Sequence, residues 1–323
     1  MRQLDRGGAL IACAALLALA CLLGLSLGGV KLDWAALSAD GPAGQTARVI
    51  VQLRAPRVAF AALVGACLAL AGAALQALLK NPLADPFLLG TSGGAATGAA
   101  LAALYGVSPL LSPGAAFVGA AASAVGVAAL ARRGGRLDLH RLLLAGLIAN
   151  AFFSAMLLLI FSAASSETAR SMLFWMMGSL ADATPARIVA LAPYAIAGGA
   201  VLLAFASRLN LFAIGEENAA ALGVYTETAK RVVFLAASLL TGAAVAFAGV
   251  IGFVGLLVPH AVRAAAGNEQ RTLLPASALS GAALLVAADA VSRAALAPGE
   301  LPIGAVTAAV GAPVFVWLLL RQP

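Results

Sequence analysis

Residues 207–231, SRLNLFAIGEENAAALGVYTETAKR, form a polar island between two blocks oily enough for a bilayer interior, and the fold turns on how that island is read. Gly215-Glu216-Glu217 leads into Asn218-Ala219-Ala220-Ala221-Leu222, and Gly223 ends the run. Acidic residues in a first turn and a glycine just past the last turn are the start and stop signals of a helix. The predicted helix has about two turns, and isolated helices under about 12 residues are marginal in water, so it must dock against something. Two readings stay open: an ordinary interfacial loop helix, or a knob on which a soluble partner lands.

The composition places the chain in a membrane. Hydrophobic residues make up 63% and charged residues 10% of 323 positions, where a soluble chain carries about 25% charged residues. Cys13, Cys21 and Cys67 all lie in apolar segments, so neither a disulfide framework nor a thiolate metal site is implied. The net charge of +7 does not indicate nucleic acid, because the arginines fall at segment ends rather than on one basic face. The first apolar run, from Ala9 to Val30, follows Arg2 and Arg6, and Ala18-Leu19-Ala20-Cys21 faintly resembles a lipoprotein cleavage site. The run is long for a signal core and many apolar segments follow, so it reads as the first membrane helix.

Ten spans fit the hydropathy, at about 9–30, 57–79, 88–106, 113–131, 142–162, 187–206, 231–250, 252–266, 274–295 and 303–321. The expectation is an all-α integral membrane protein built as a single transmembrane domain over 1–323. An even number of spans puts both termini on one side. With the N-terminus inside, 13 Lys and Arg residues fall in the cytoplasm and 7 outside, which accounts for all 20. The excess supports cytoplasmic termini and a cytoplasmic island.

Several stretches add to this frame. Gly65-Ala66-Cys67-Leu68-Ala69-Leu70-Ala71-Gly72 matches Gly242-Ala243-Ala244-Val245-Ala246-Phe247-Ala248-Gly249, and a proline follows ten residues after each copy, at Pro82 and Pro259. The offset is 177 residues, and the two copies run in opposite directions, which reads as an inverted internal repeat of the kind transporters use. Gly90, Gly94 and Gly98 recur every four residues, a spacing that lets backbones pack closely in lipid. Lys80-Asn81-Pro82-Leu83-Ala84-Asp85-Pro86 is a rigid turn, because two prolines forbid a continuous helix and Asn81 and Asp85 can bond the freed backbone. Arg132 to Arg141 is the densest basic cluster and reads as an inside-positive anchor. Ser171 to Gly178 reads as an amphipathic helix at the outer surface. Asp289 and Arg293 can pair at i,i+4, worth a few tenths of a kcal/mol if exposed (about 0.2–0.5). Arg54-Ala55-Pro56-Arg57 opens the second span outside, where arginines commonly snorkel to headgroups.

Leu211-Phe212-Ala213-Ile214-Gly215-Glu216-Glu217 through Ala221-Leu222-Gly223 resembles the cytoplasmic coupling loop of ABC-importer permeases, most closely the type II family that imports cobalamin, haem and ferric siderophores. Asn81-Pro82-Leu83-Ala84-Asp85-Pro86 with Leu89-Gly90-Thr91-Ser92-Gly93-Gly94-Ala95, Gly252 to Arg263, and Ala288 to Arg293 with Pro298 to Gly304 are similar to further signatures of that family, in the same order along nearly the whole chain. The resemblance implies a homodimer with the substrate path between the copies, two ATPase subunits on the cytoplasmic loops, and a periplasmic binding protein outside, in a bacterial inner membrane. It assigns ATPase coupling to Gly215, Glu216, Glu217, Ala221, Leu222 and Gly223, and a cytoplasmic gate to Asn81 and Leu83. A second gate loop falls at Leu139-His140, where this chain lacks the small hydroxyl residues expected. Binding-protein carboxylates would meet Arg54, Arg57 and Arg293, with Ala55 replacing the usual leucine. His260 and Arg263, three apart on one helical face, read as structural or coupling residues.

The chain has no Gly-x-x-x-x-Gly-Lys-Ser/Thr stretch, so it does not cradle nucleotide phosphates itself. No catalytic cluster of His, Asp and Glu appears, and no catalytic residue, metal ligand or cofactor of its own is expected. ATP and magnesium would be bound by the partner ATPase. The rival from another class is an ion-coupled secondary transporter, which normally leaves carboxylates or histidines mid-membrane; here only Asp289 sits in an apolar run. The cargo class implied is a bulky metal chelate, with His140 tilting the reading toward haem.

Overall fold

A helix of 38 residues, Pro42–Leu79, forms the axis of the molecule. Gly41, at φ 92°, turns the chain into it and Pro42 occupies its first position, where a missing N–H costs nothing. It stops at Lys80, which takes the left-handed conformation at φ 50° and returns its N–H to the carbonyls of Gln76 and Ala77. The computed structural model describes residues 5–30, 32–108, 110–296 and 299–320. Arg2, Lys31, Pro298 and Arg321, used in the charge count and the last motif, lie outside the described residues.

Among the described residues the chain is nearly all helical. Its helices are α1 (Arg6–Ser26), α2 (Pro42–Leu79), α3 (Thr91–Leu104), α4 (Ser112–Leu130), α5 (Leu139–Ala163), α6 (Ser166–Met176) and α7 (Pro185–Ala204). There follow α8 (Ala206–Ala213), α9 (Glu216–Ala221), α10 (Thr226–Ala248), α11 (Val254–Ala266), α12 (Gln270–Ala295) and α13 (Ile303–Leu320). One departure from an all-α chain is a hairpin of two short strands, β1 (Arg132–Arg133) and β2 (Arg136–Leu137), in the stretch read as a basic anchor. Gly134 and Gly135 both have positive φ, 57° and 79°, which is what a tight two-residue hairpin turn demands.

Each of the ten expected spans overlaps a helix, and among the described residues seven helices are long and apolar enough to cross a membrane: α1, α2, α4, α5, α7, α10 and α12. Helices α3 and α11, at 14 and 13 residues, rise only about 20 Å, short of a hydrocarbon core about 30 Å thick. The helix that carries the second span begins 15 residues before the span itself, at Pro42 rather than residue 57. Arg48, Arg54 and Arg57 lower the local hydropathy without breaking the helix, and Pro56 is accommodated inside it.

Most of α2, α10 and α12 is buried, whereas α1, α4, α5 and α7 keep much of their surface outward. In lipid the hydrophobic effect does not drive helices together; close backbone contact does. A Cβ on Gly72 would stand 1.9 Å from the Gly255 carbonyl oxygen, so α2 and α11 touch backbone to backbone. The Gly94–Gly98 stripe does the same between α3 and α4: Cβ atoms there would stand 2.4 Å from Gly119 O and 2.3 Å from Ala115 O. Gly90 instead makes the left-handed turn between a 3-10 turn (Pro86–Leu89) and α3. The eight-residue match between the halves does not extend to backbone detail. Gly72 lies within α2, while Gly249 is the C-cap of α10, and Pro82 sits in a loop while Pro259 lies inside α11.

Candidate functional site: the coupling helix and the gate loops

The polar island folds as two short helices in sequence. Helix α8 ends at Ala213, and Gly215, at φ 119°, turns the chain into α9. The Asn218 side-chain amide donates to Ile214 O at 2.6 Å, tying the turn to the helix it precedes. Gly223, at φ 84°, ends α9, and its N–H and that of Val224 return to the Ala220 and Ala219 carbonyls. Ala219 is buried and anchors α9, while Glu217, Ala221, Leu222 and Gly223 face outward. Leu222 is 61% exposed, a large apolar side chain on a helix too short to stand without support.

Glu216 turns the other way. Its Oε1 lies 2.7 Å from Nζ of Lys230, whose side chain is only 4% exposed. Glu227 Oε1 lies 2.5 Å from the same nitrogen, and the ammonium also donates to Leu137 O at 2.7 Å. The ammonium is thus hydrogen-bonded to one backbone carbonyl and ion-paired with two carboxylates. Glu227 Oε2 accepts the Leu137 N–H at 2.8 Å, and Arg231 donates to Gly135 O. The first turns of α10 therefore grip the hairpin at Gly135 and at both backbone groups of Leu137, and the same lysine holds α9. Sequence reading assigned Lys230 and Arg231 only to the inside-positive count; the preceding Thr226-Glu227 helix start was the signal that could have revealed their register.

The hairpin runs directly into Leu139-His140, the predicted second gate loop. Asp138 caps α5 by accepting the His140 and Arg141 N–H groups at 2.9 and 3.0 Å, and these bonds hold its carboxyl below the usual range. A cavity of about 790 Å³ is lined by Asn81, Leu139, His140, Glu216 and Lys230, together with Lys80, Arg133 and Arg136. The structure thus brings the two predicted gate loops and Glu216 of α9 to one cavity. Leu83, the other predicted gate residue, is 38% exposed and lies outside that lining. Asn81 caps its own loop by accepting the Leu83 N–H at 2.9 Å. Asp85 does the same for Phe87 at 2.8 Å, and burial pushes its carboxyl up to about 6. Arg263 donates to Gln76 Oε1 at 3.1 Å, and Gln76 in turn donates to the Gly255 and Leu256 carbonyls, so this arginine ties α11 to α2.

At the opposite end the three arginines predicted to face outside converge on a basin of about 400 Å³. Arg57 Nε donates to Asp289 Oδ1 at 2.8 Å and makes a two-pronged contact with Glu300, 2.9 Å on each side. Arg293 donates to Asp289 Oδ2 at 2.9 Å and to the Gly24 and Leu27 carbonyls. Arg54 donates to the carbonyls of Leu25, Ser26 and Val30, the unfilled C-terminal end of α1 and the turn after it. Arg54 and Arg293 are buried, at 8% and 7% exposure, so neither snorkels to headgroups. The Asp289–Arg293 pair, expected as a weak exposed contact, is a buried one shared with Arg57.

These features define a multi-pass helical membrane protein of the permease class, with a small exposed helix on one polar face and an arginine basin on the other. The chain belongs to the FecCD transport family, which it matches over residues 16–321. It is similar to the cobalamin import system permease protein BtuC of Halobacterium salinarum, at 44% identity over 85% of this chain and 74% of the relative. It is also similar to the vitamin B12 import system permease protein BtuC of Salmonella typhi, at 40% identity over 97% and 95%. The hemin transport system permease protein HmuU of Yersinia pestis is 37% identical over 95% and 93%. A solved structure of a metal-chelate type ABC transporter in an inward-facing conformation superposes with a TM-score of 0.87 at 31% identity, covering 98% of this chain and all of that one.

Proposed function

We propose that this chain is the transmembrane permease subunit of an ATP-driven importer that moves a bulky metal chelate (haem, a ferric siderophore or cobalamin) from periplasm to cytoplasm. It works as a homodimer in a bacterial inner membrane, crosses ten times as two inverted halves, and has both termini in the cytoplasm. Two ATPase subunits land on α9 and its counterpart. The observation that carries this reading is the placement of α9: Glu217, Ala221 and Leu222 face outward while Glu216 reaches into the cavity that holds Asn81, Leu139 and His140. A lever with one face free and the other on the gate loops suits an external engine. The relatives named for cobalamin and for hemin support the chelate class. An ion-coupled mechanism finds less support, because the buried Asp289 is committed to Arg57 and Arg293.

At the outer face a binding-protein carboxylate would meet the arginine cluster at Arg57, which is 12% exposed and already paired with Asp289 and Glu300, with Arg54 and Arg293 behind it. Arg54 has no carboxylate within 4 Å among the described residues, so its charge adds to the attraction felt at the basin. The test is reconstitution of the permease in vesicles with and without its ATPase, followed by uptake of cyanocobalamin and of haem. Accumulation that requires both ATPase and ATP is expected. Uphill uptake by the permease alone on a proton or sodium gradient would overturn the proposal.

A further inference from the structure

We infer that Lys230 is the joint through which movement of α9 reaches the gate loop at Leu139-His140, a positioning role that rests on the importer reading above. Three separate chain segments meet at one buried ammonium: the first residue of α9 through Glu216, the first turn of α10 through Glu227, and the end of the hairpin through Leu137 O. Leu137 is itself 1% exposed, and two residues further on the chain reaches Leu139 and His140 in the cavity wall. The hairpin is held to α10 redundantly, by Glu227 to the Leu137 N–H and by Arg231 to Gly135 O. Glu216, by contrast, is the ion-paired link from α9 to this cluster among the described residues. A displacement of α9 therefore reaches the hairpin through the Glu216–Lys230 ion pair, whose lysine end is buried, alongside the short chain link from α9 to α10. Lys230 is too enclosed to be touched by a protein landing on α9, so its part is transmission and not docking.

The experiment uses the assembled permease–ATPase complex in vesicles, with Cys13, Cys21 and Cys67 replaced by alanine and a bimane attached at His140→Cys. In the otherwise unchanged complex, ATP shifts the bimane emission. Lys230→Met is expected to cut that shift by at least about fivefold, the lower end of ordinary coupling factors, while ATPase association and hydrolysis stay within about twofold. Glu216→Gln provides the milder variant: it leaves Lys230 paired with Glu227 and Leu137, so the hairpin stays gripped and only the α9 link is lost. It is expected to reduce the shift in the same way. An ATP response of full size in both variants overturns the joint while leaving the importer reading intact. A merely structural lysine would instead lower association, hydrolysis and emission shift together, which also overturns it. A complex that never forms, or an unchanged complex with no ATP response, overturns both readings.

Discussion

At the scale of single residues, burial decides which of the ion pairs in the arginine basin matters. Asp289 is 1% exposed and shared by Arg57 and Arg293, whereas Glu300 is 41% exposed and touches Arg57 alone. Removing one member of a buried pair leaves an uncompensated charge in a poorly solvating place and costs about 3–5 kcal/mol. A half-exposed pair is screened by water and is worth about 0–1 kcal/mol. Asp289→Ala should therefore lower unfolding stability in mixed micelles by about 3 kcal/mol or more, and Glu300→Ala by no more than about 1 kcal/mol. Equal losses would contradict the assignment of the buried cluster. The sequence made half of this cluster legible. Asp289 and Arg293 stand four apart on a helix and announce their pairing, but Arg57 lies 232 residues away from Asp289, and no local periodicity records that contact. Lys230 was hidden for the same reason, since Leu137 lies 93 residues from it.

Among the elements, the small-residue spacing on α3 was readable because packing in lipid leaves a compositional trace. Gly94 and Gly98 meet the backbone of α4 at Gly119 and Ala115, while Gly126, on α4 itself, faces open space. Overpacking a tight contact costs about 1–3 kcal/mol, and more where the obstacle is backbone that cannot rotate away. Gly98→Leu should destabilise the protein by at least that amount, and Gly126→Leu should stay within about 0.5 kcal/mol, both measured by unfolding in micelles. Similar effects at the two sites would mean that α3 and α4 are not in contact. Other elements were less legible. The Arg-Arg-Gly-Gly-Arg-Leu hairpin hid behind its charge, because a dense basic run satisfies the inside-positive pattern whatever its backbone does. The first turns of α2 hid because hydropathy detects lipid and not helix, and Pro42 to Pro56 is helix at the polar end. The start and stop of α9 were legible from Glu216, Glu217 and Gly223, since caps are local chemistry.

For the whole molecule, contacts sort the polar ends into two groups independently of the charge count. Arg6 pairs with Glu269 at 3.0 Å, Arg271 bonds Ser207, and Asn210 accepts the Gln270 N–H. Those links join the start of α1, the α11–α12 turn and the polar island, which Lys230 joins to the hairpin. The second group joins the end of α1 to Arg54 and Arg293, Glu300 to Arg57, and Gly304 to Met177 O. No hydrogen bond or ion pair described here crosses between the groups. The first group is the one assigned 13 Lys and Arg residues, including Arg2 and Arg321, and the second is the one assigned 7. Contact and the alternation of spans thus agree for Arg6, Lys230 and Arg271 on one side and Arg54, Arg57 and Arg293 on the other. The charge bias alone supplies the direction, because positively charged loops resist translocation. In a background lacking Cys13, Cys21 and Cys67, a membrane-impermeant maleimide added to intact spheroplasts should label Asp40→Cys and Asp182→Cys. It should leave Arg133→Cys and Leu222→Cys untouched until the membrane is permeabilised. Labelling of Arg133→Cys and Leu222→Cys from outside would invert the orientation and remove α9 from the ATPase side. Labelling that splits Arg133→Cys from Leu222→Cys would break the contact-derived partition itself, because Lys230 places the hairpin and α9 on the same face.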